Sequence, residues 1–315
     1  MRIHSLPGRL TRVAVGNIGK PVLSGDGSTV VYNQFEDSQW EVKRFREGHT
    51  ENLSSDPRHD LEPAVSADGE TVVWSRFTTE DFADPNGCWD IWRWRDGQAE
   101  PLATSPGHDT EPAISGDGQT VVFTHDDPKY PTGFNLRMWR DGQVSNLTEG
   151  PEVDREAFLN HDGSRIFWTR KWAGSEIFMQ DEAGNQKPIT HSTNPEFHPA
   201  ANRDGTRLIW SEEPRGDHDL YTYSTENNQR TVVAGERRVI ETEGDLSADG
   251  QTLVFTRQRP GQPSHVVLRD HGQELELPFD YARLPQVSDD GRVLAWWGVE
   301  DNQAVIYRWE RDAGL

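Results

Sequence analysis

Cysteine is nearly absent from this chain of 315 residues: Cys88 stands alone, so no disulfide bond can form within the chain. The sequence has no run of eighteen apolar residues, and its first residues lack the apolar segment of a signal peptide. The Gly-x-Ser-x-Gly motif of α/β-hydrolases is also missing. We therefore expect no membrane insertion and a cytoplasmic location for the chain as written. A periplasmic or secreted location would apply if a leader had been removed.

Positive charge is scarce as well. The chain contains 32 Lys and Arg against 53 Asp and Glu, which corresponds to a formal net charge of -21 at pH 7. A surface of this sign repels the phosphates of nucleic acids and of anionic lipids. We therefore expect a monomer whose partner is a protein or peptide of basic character, or a metal ion, and no nucleic-acid partner. The same acidity also serves solubility alone, and composition does not separate the two.

A sequence repeat stands out against these absences. A motif of the form Ser-x-Asp-Gly, followed by a β-branched run, recurs seven times at spacings of about forty to fifty residues, which is typical of propellers and repeat arrays. Its anchors are Asp26, Asp68, Asp117, Asp162, Asp204, Asp249 and Asp290, each followed by glycine. Asp-Gly favours tight hairpin turns because glycine adopts a positive φ without steric cost. We therefore interpret these aspartates as turn residues and not as metal ligands.

Each copy of the repeat predicts four short strands, because apolar and polar residues alternate between turn signals. In the second copy the predicted strands are 63–66, 71–76, 90–94 and 99–103. Such units must stack to bury their faces, and closure into a ring removes exposed edges. The last copy lacks a fourth strand, and residues 9–15 have the character of one. We predict an all-β fold with a single domain, 1–315: a seven-bladed β-propeller of four-stranded blades, closed by residues 9–15 in the last blade.

The best-preserved copies resemble the TolB-like family of propellers, whose repeats are also called WD40-like or PD40. The resemblance covers nearly the whole chain and is carried by Ser66-x-Asp68-Gly69, Ser115-x-Asp117-Gly118, Ser247-x-Asp249-Gly250 and the strand Asp90-Ile91-Trp92-Arg93-Trp94. It implies a protein-binding scaffold. The proline of the family motif is replaced in every copy, by Gly25, Ala67, Gly116, His161, Arg203, Ala248 and Asp289. The six blades and the extra N-terminal domain of TolB are not visible either.

Two positions before the motif serine can be aligned in all seven copies; in two copies asparagine, Asn160 or Asn202, replaces the serine. A propeller places this segment at the mouth of its channel. The outer position, six residues before the serine, is Ile18, Asp60, Asp109, Asp154, Glu196, Glu241 and Ala282. The inner position, four residues before it, is Lys20, Glu62, Glu111, Glu156, His198, Glu243 and Leu284. We expect the acidic members and His198 to form a binding site.

Carboxylates at a channel mouth attract cations and can hold Ca²⁺, which prefers oxygen ligands. If a divalent cation binds, its ligands are expected among Asp60, Glu62, Asp109, Glu111 and His198. The alternative is that these side chains cap backbone amides, a common use of Asp and Glu in turns. For the set as a whole we favour binding, because capping does not require acidity at both positions in consecutive units.

The function expected from these features is a non-catalytic protein- or peptide-binding scaffold, without a cofactor, whose acidic mouth accepts a basic segment or a cation. The alternative is a metal-dependent lyase or hydrolase acting at the channel mouth, in which a histidine and a carboxylate exchange protons. The sequence shows neither a dedicated metal motif nor a nucleophile with a paired base, and this favours the scaffold.

Tryptophan is abundant, with twelve residues. Trp74, Trp168, Trp210 and Trp296 recur at one position of the second predicted strand, which indicates packing between units more than ligand binding. Trp40, Trp172 and Trp297 fall outside the repeat pattern, and we expect them to be more exposed.

Overall fold

The computed structural model describes residues 6–126, 129–130, 133–171 and 175–312. Within these ranges the regular secondary structure consists of β-strands alone. β-branched and aromatic side chains explain this, because they pack well on a pleated surface. In the same ranges there is no helix with the length and apolar character needed to cross a membrane. The predicted all-β fold is confirmed.

The 28 strands form seven units of four, which we number by their order in the sequence. Unit 1 contains β2 (Val22–Leu23), β3 (Thr29–Glu36), β4 (Gln39–Arg46) and β5 (His49–Asn52). Unit 2 contains β6 (Asp60–Val65), β7 (Thr71–Phe77), β8 (Trp89–Arg95) and β9 (Gln98–Ala103). Unit 3 contains β10 (Asp109–Ile114), β11 (Thr120–Asp126), β12 (Phe134–Arg140) and β13 (Gln143–Asn146). Unit 4 contains β14 (Val153–Leu159), β15 (Ile166–Lys171), β16 (Ser175–Gln180) and β17 (Gln186–Pro188).

The remaining three units follow the same pattern. Unit 5 contains β18 (Glu196–Ala201), β19 (Arg207–Glu212), β20 (Asp219–Ser224) and β21 (Gln229–Ala234). Unit 6 contains β22 (Ile240–Leu246), β23 (Thr252–Gln258), β24 (Ser264–Asp270) and β25 (Gln273–Glu276). Unit 7 contains β26 (Arg283–Val287), β27 (Val293–Glu300), β28 (Gln303–Arg311) and, from the beginning of the chain, β1 (Gly8–Val15).

Neighbouring strands within each unit are antiparallel, and five units are separate four-stranded sheets. Units 3 and 4 are joined into one eight-stranded sheet by a single parallel bridge between Phe134 and Val153. In unit 7 the strand β1 pairs with β28, from Gly8 opposite Arg311 to Val15 opposite Val305. The N-terminal residues 9–15 therefore supply the fourth strand of the last unit.

The Ser-x-Asp-Gly motif closes the hairpin between the first two strands of a unit. In unit 2 the Ser66 hydroxyl donates to Asp68 Oδ1 at 2.6 Å and accepts from the backbone N–H of Thr71 at 3.0 Å. Gly69 has φ of 73° and donates its N–H to the Ser66 carbonyl at 3.0 Å. A residue with a Cβ adopts this conformation at a cost, which explains the glycine. These aspartates are turn residues, as predicted.

Apolar side chains are buried at the junctions between units. Seven clusters of buried side chains each contain residues of two successive units, and one of them joins unit 7 to unit 1. The four tryptophans at the shared second-strand position, Trp74, Trp168, Trp210 and Trp296, are completely buried in them. Their predicted packing role is confirmed. Trp40 and Trp297 are half-buried, and Trp172 lies outside the described residues.

Backbone hydrogen bonds also connect the units at the turns of the motif, through the residues that replace the family proline. Asp26 N–H donates to the Ala67 carbonyl at 2.8 Å, and Asp289 N–H donates to the Gly25 carbonyl at 2.7 Å. Equivalent bonds join units 2 and 3, 3 and 4, 4 and 5, and 6 and 7. Between units 5 and 6 the side chain of Asn202 donates to the Ala248 carbonyl at 2.9 Å. Each junction is therefore tied by polar as well as apolar contacts.

Val13→Asp should destabilise the protein far more than Val15→Asp, although both residues lie in β1. Val13 is 8% exposed and packs between units 7 and 1, whereas Val15 is 41% exposed. A buried charge without a partner costs several kcal/mol, so we expect a loss of about 3 kcal/mol at Val13 and less than about 1 kcal/mol at Val15. Urea denaturation of both variants measures this difference. Equal losses would show that β1 does not seal the junction.

Candidate functional site

The first strands of the seven units line a common cavity of about 600 Å³, which we call the channel. Its wall is mostly apolar and is built largely from proline, alanine and β-branched or aromatic residues. The seven inner-position residues, Lys20, Glu62, Glu111, Glu156, His198, Glu243 and Leu284, all line it. The structure therefore brings these residues together, and we call this ring of side chains the mouth.

A β-bulge aims the inner-position side chains. Six of these residues, all except Lys20, have a left-handed backbone with φ between 51° and 57°. At each of them the pairing of the first two strands shifts register. The sequence contained a signal for this bulge that we did not use. Proline, which cannot donate to a strand ladder, follows the inner position in five units, as Pro21, Pro63, Pro112, Pro199 and Pro285.

The outer position does not line the channel, and the expected placement of its acidic residues at the mouth is wrong. Asp60, Asp109, Asp154, Glu196 and Glu241 are at most 2% exposed. Each lies opposite the end of the second strand of its own unit, and in four units that residue is an arginine or a histidine. Asp60, for example, accepts hydrogen bonds from Arg76 Nε and Trp74 Nε1, both at 2.6 Å. These pairs hold the first two strands together.

The partners of the outer carboxylates form a pattern that we did not recognise in the sequence. The residues that face them are Arg76, His125, Arg170, Glu212 and Arg257 in units 2 to 6. The distances are 2.7 Å for Asp109–His125, 2.6 Å for Asp154–Arg170 and 2.7 Å for Glu241–Arg257. A buried carboxylate requires such a partner, because desolvation without one is costly.

Unit 5 departs from this pattern because its second strand ends in a carboxylate. Glu196 faces Glu212 in register, and Glu212 faces Asp219 on the third strand. All three side chains are buried. Arg230 pairs with Glu212 at 2.5 Å and Arg215 pairs with Asp219 at 3.1 Å. Among the described residues, no cation forms an ion pair with Glu196.

Burial raises the pKa of the Glu196 carboxyl to about 7, and the nearby charge of Glu212 acts in the same direction. Two contacts partly offset this rise in pKa. Glu196 accepts a hydrogen bond from the Thr190 hydroxyl at 2.6 Å, and the positive charge of Arg230 lies nearby. Glu196 Oε1 has no hydrogen-bond partner within the described ranges. Unit 5 therefore keeps a carboxyl that readily holds a proton near neutral pH, close to His198 at the mouth.

Three of the mouth glutamates are tied to the next unit. Glu62 Oε2 accepts a hydrogen bond from the backbone N–H of Glu111 at 2.8 Å. Glu243 Oε2 accepts one from the N–H of Leu284, also at 2.8 Å. Glu111 accepts two hydrogen bonds from Arg155, at 2.6 and 3.1 Å. Their carboxylates are therefore engaged in joining adjacent units.

Glu156 and His198 are the exceptions, and they stand at the inner positions of adjacent units 4 and 5. Both are exposed. In the described part of the chain, the only hydrogen bond to the Glu156 carboxylate comes from the Thr169 hydroxyl at 3.3 Å. His198 Nδ1 lies 3.4 Å from the Thr242 hydroxyl. These contacts are long, so a carboxylate and an imidazole remain available to a molecule in the channel.

The mouth is less acidic than the alignment indicated. Lys20 belongs to the mouth, and Arg155 and Arg283 lie beside it, where they pair with Glu111 at 2.6 Å and with Glu243 at 3.1 Å. The side chains of Arg155 and Arg283 are 37% and 53% exposed. Both arginines directly precede an inner-position residue, which is why an alignment restricted to the two positions missed them. The charges at the mouth nearly balance, and an anionic group has cations to meet there.

The described residues contain no group of three His, Cys, Asp or Glu side chains arranged to hold a metal ion. Of the five candidate ligands, Asp60 and Asp109 are buried in pairs, Glu62 and Glu111 bind the neighbouring unit, and His198 belongs to no group of three potential ligands among the described residues. This donor set does not fit Ca²⁺ or another divalent cation.

No protein-family model and no curated protein matches the sequence. Solved structures do match the fold. An oligogalacturonate lyase in complex with manganese has a TM-score of 0.70 at 12% identity, over 99% of this chain and 96% of that one. The oligogalacturonate lyase of Vibrio parahaemolyticus has a TM-score of 0.71 at 11% identity, over 97% and 94%.

A puromycin-hydrolyzing peptidase of Mycobacterium tuberculosis has a TM-score of 0.71 at 15% identity, over 96% of this chain and 52% of that one. TolB of Acinetobacter baumannii matches with a TM-score of 0.55 at 17% identity, over 86% and 66%. At such identities the similarity shows a propeller-like all-β fold alone. Membership of the TolB-like repeat family stays a prediction.

These comparisons correct the expected function. The lyases and the peptidase match the chain better than TolB does, and they are enzymes. The expectation of a non-catalytic scaffold, drawn from the resemblance to TolB and from the missing catalytic motif, is therefore wrong. It rested on local sequence motifs, and a site assembled from residues of different units leaves no local motif.

Glu196→Gln should stabilise the protein at pH 8. The folded state binds the Glu196 proton with a pKa of about 7, well above the ordinary value of 4.5. The tighter binding of this proton adds to the free energy of unfolding. The added stability is fully present below pH 4.5 and is lost as the pH rises to 7. Glutamine has no charge to bury, so we expect a gain of about 2 kcal/mol at pH 8 and a flatter dependence between these pH values. Urea denaturation at a series of pH values measures both.

Asp60→Asn is the matched control for Glu196→Gln. It removes a buried carboxylate that accepts hydrogen bonds from Arg76 at 2.6 and 3.1 Å and leaves Arg76 with the longer ion pair to Asp56, at 3.4 Å. Burial raises the pKa of Asp60 to about 6, but the bonds from Arg76 and Trp74 act in the opposite direction, so the loss of these bonds should cost about 2 kcal/mol at neutral pH. If both variants lost stability alike at pH 8, Glu196 would have to be an ordinary ion-pair partner.

Proposed function

We propose that the seven units form one closed ring, a seven-bladed β-propeller of residues 1–315 in which β1 completes the last blade. Three observations support this architecture. Seven apolar clusters occupy the seven junctions, including the one between units 7 and 1. Hydrogen bonds at the motif turns connect Asp289 back to Gly25. One cavity is lined by the first strands of all seven units.

We propose further that the chain is an enzyme, a lyase or hydrolase acting at the channel mouth. The observation that carries this proposal is the pair Glu156 and His198. They occupy equivalent positions of adjacent units and both line the channel, while the other three mouth glutamates are held by the next unit. A cavity of about 600 Å³ is within the range of small-molecule sites.

The two side chains have complementary roles in acid–base chemistry. In a lyase, the Glu156 carboxylate removes a proton from the carbon next to an activating carboxylate group of the substrate. The electron pair forms a C=C bond, the bond to the leaving oxygen breaks, and His198 protonates that oxygen. In a hydrolase, Glu156 instead removes a proton from a water molecule that attacks the scissile bond. Either reaction needs one base and one acid, and the mouth provides both.

Oligogalacturonate is the first substrate to test, because it is the substrate named for two of the structurally similar enzymes. A uronate polymer is anionic, and its carboxylates can meet Lys20 in the mouth and the partly exposed Arg155 and Arg283 beside it. A cation next to the carboxylate stabilises the negative charge that develops when the neighbouring proton is removed. This balance of charges makes an anionic substrate compatible with a protein of net charge -21.

The manganese of one similar structure raises the question of a metal in this chain. A bound divalent ion would supply a Lewis acid to the substrate carboxylate. The donor set of the mouth does not fit such an ion, and the proposed chemistry contains no step through a metal. We expect Mn²⁺ or Ca²⁺ to leave the melting temperature of EDTA-treated protein unchanged. A rise with one ion, abolished by His198→Asn, would contradict the metal-free assignment.

Glu156→Gln and His198→Asn should each lower turnover at least about a hundredfold, as expected for loss of a general base or acid. The substrates are oligogalacturonate, a neutral oligosaccharide and a chromogenic peptide. Ultraviolet absorbance of the unsaturated product reports a lyase, whereas new reducing ends without it report a glycoside hydrolase.

His49→Asn and Glu80→Gln are the matched controls, because both residues are exposed and lie outside the channel lining. They should retain the activity of the unmodified chain. Turnover that survives in both Glu156→Gln and His198→Asn would refute the assignment of this catalytic pair. A failure of the unmodified protein to turn over any of the three substrates would refute the proposed function.

A further inference from the structure

Below the mouth the channel wall contains a second layer of residues, two positions before the motif serine. In six units this residue lines the channel, as Val22, Ala64, Ala113, Phe158, Ala200 and Gln286. Asp245 is the equivalent residue of unit 6, and its neighbour Gly244 also lines the channel. Five of the seven equivalent positions are therefore apolar, and those of adjacent units 6 and 7 carry a carboxyl and a carboxamide.

Asp245 differs from the outer carboxylates because, within the described residues, no cation accompanies it. Its Oδ2 accepts a hydrogen bond from the backbone N–H of Val287 in the next unit, at 2.9 Å. Burial raises the pKa of the Asp245 carboxyl to about 6, and the negative charge of Asp289 acts in the same direction. A carboxyl in such a place is costly unless donors surround it, so a ligand that brings donors would be favoured.

Gln286 has unused hydrogen-bonding capacity. In the described part of the chain its side-chain Nε2 donates only to the carbonyl of its own neighbour, Pro285, at 3.4 Å. A carboxamide offers two N–H donors and a carbonyl acceptor. Next to Asp245, it completes a short polar segment of the wall that can both donate and accept.

The opposite end of the ring is narrowed by three polar side chains. Arg203 Nη1 of unit 5 lies 2.6 Å from Asp289 Oδ2 of unit 7, and Arg203 Nη2 lies 3.1 Å from His161 Nε2 of unit 4. They occupy the position that is glycine or alanine in the other four units. A second cavity of about 530 Å³ opens at this end, and no described residue lines both cavities. We conclude that a ligand reaches Asp245 from the mouth.

We propose that Asp245 and Gln286 form a subsite for neighbouring hydroxyl groups of a sugar ring that enters the channel through the mouth. This inference rests on the proposed function, because the sugar is then the leading end of a substrate that is cleaved at the mouth. One hydroxyl donates to Asp245. A second hydroxyl accepts from the Gln286 amide and can donate to its carbonyl. The apolar wall packs against the C–H groups of the ring.

The chemistry of Gln286 decides between a hydroxyl and an amine as the bound group. An ammonium group would supply donors to Asp245, but it has no acceptor for the N–H groups of Gln286. Hydroxyls donate and accept, so they satisfy both side chains. Asp245 and Gln286 therefore match a diol, whereas an alkylamine would leave the N–H groups of Gln286 without an acceptor.

The test is a titration of the full chain with D-galactose and, separately, with hexylamine, followed by ligand-observed NMR. We expect galactose to bind, and its affinity to fall at least about tenfold in Asp245→Asn, because a hydrogen bond to a charged group is lost. Gln286→Leu should weaken binding in the same way, and it leaves the Asp245 contact with Val287 in place. Asp90→Asn is the matched control, since Asp90 is also a carboxyl with a pKa raised by burial but lies in the third strand of unit 2, away from the first strands that line the channel.

Three results would overturn the subsite: galactose binding that both substitutions leave unchanged, binding of hexylamine in place of galactose, or binding of neither. Glu156→Gln should still bind galactose while turnover is lost. If galactose binding depends on Asp245 but Glu156 and His198 prove unnecessary for turnover, then only the assignment of the catalytic pair fails. The two proposals are thus tested by separate measurements.

Discussion

Burial of both faces of each four-stranded unit against its neighbours is the constraint on which the rest of the structure depends. A single unit cannot cover its own apolar faces, so each junction contains a cluster of buried side chains, with a large aromatic ring in most of them. Because the stacking brings the first strands of all seven units around one cavity, residues that are 41 to 49 positions apart in the sequence become neighbours at the mouth.

Acidic residues serve two separate purposes in this arrangement, although they lie only two positions apart. The outer carboxylates are buried and pair with the end of the second strand, which fixes the first hairpin of each unit. The bulge that follows turns the inner-position side chains to the channel. The first role stabilises the fold, and the second leaves carboxylates where a ligand can reach them. A count of charges alone cannot distinguish the two.

Most of the residues that differ from the repeat pattern lie in units 4 and 5. They contain the free mouth residues Glu156 and His198, the carboxylate pair of Glu196 and Glu212, and Arg203, which pairs with Asp289 of unit 7. A repeat that only had to stack could use the same residues in every unit. Local departures from a consistent pattern are common at functional sites, and here they coincide with the proposed catalytic pair. Asp245 is a departure of the same kind in unit 6.

Four properties were predictable from the amino-acid sequence: the all-β fold, the strands of each copy, the turn role of the Asp-Gly pairs and the packing role of the recurrent tryptophans. These properties depend on local alternation and on turn chemistry, which a single chain displays directly. The folded structure was needed to show which acidic residues are buried, that Arg155 and Arg283 lie beside the mouth, and that Asp245 accepts a hydrogen bond from Val287, the residue after Gln286. The physical reason is that a one-residue shift in a bulge reverses the direction of a side chain, and contacts between units join residues that no local pattern relates.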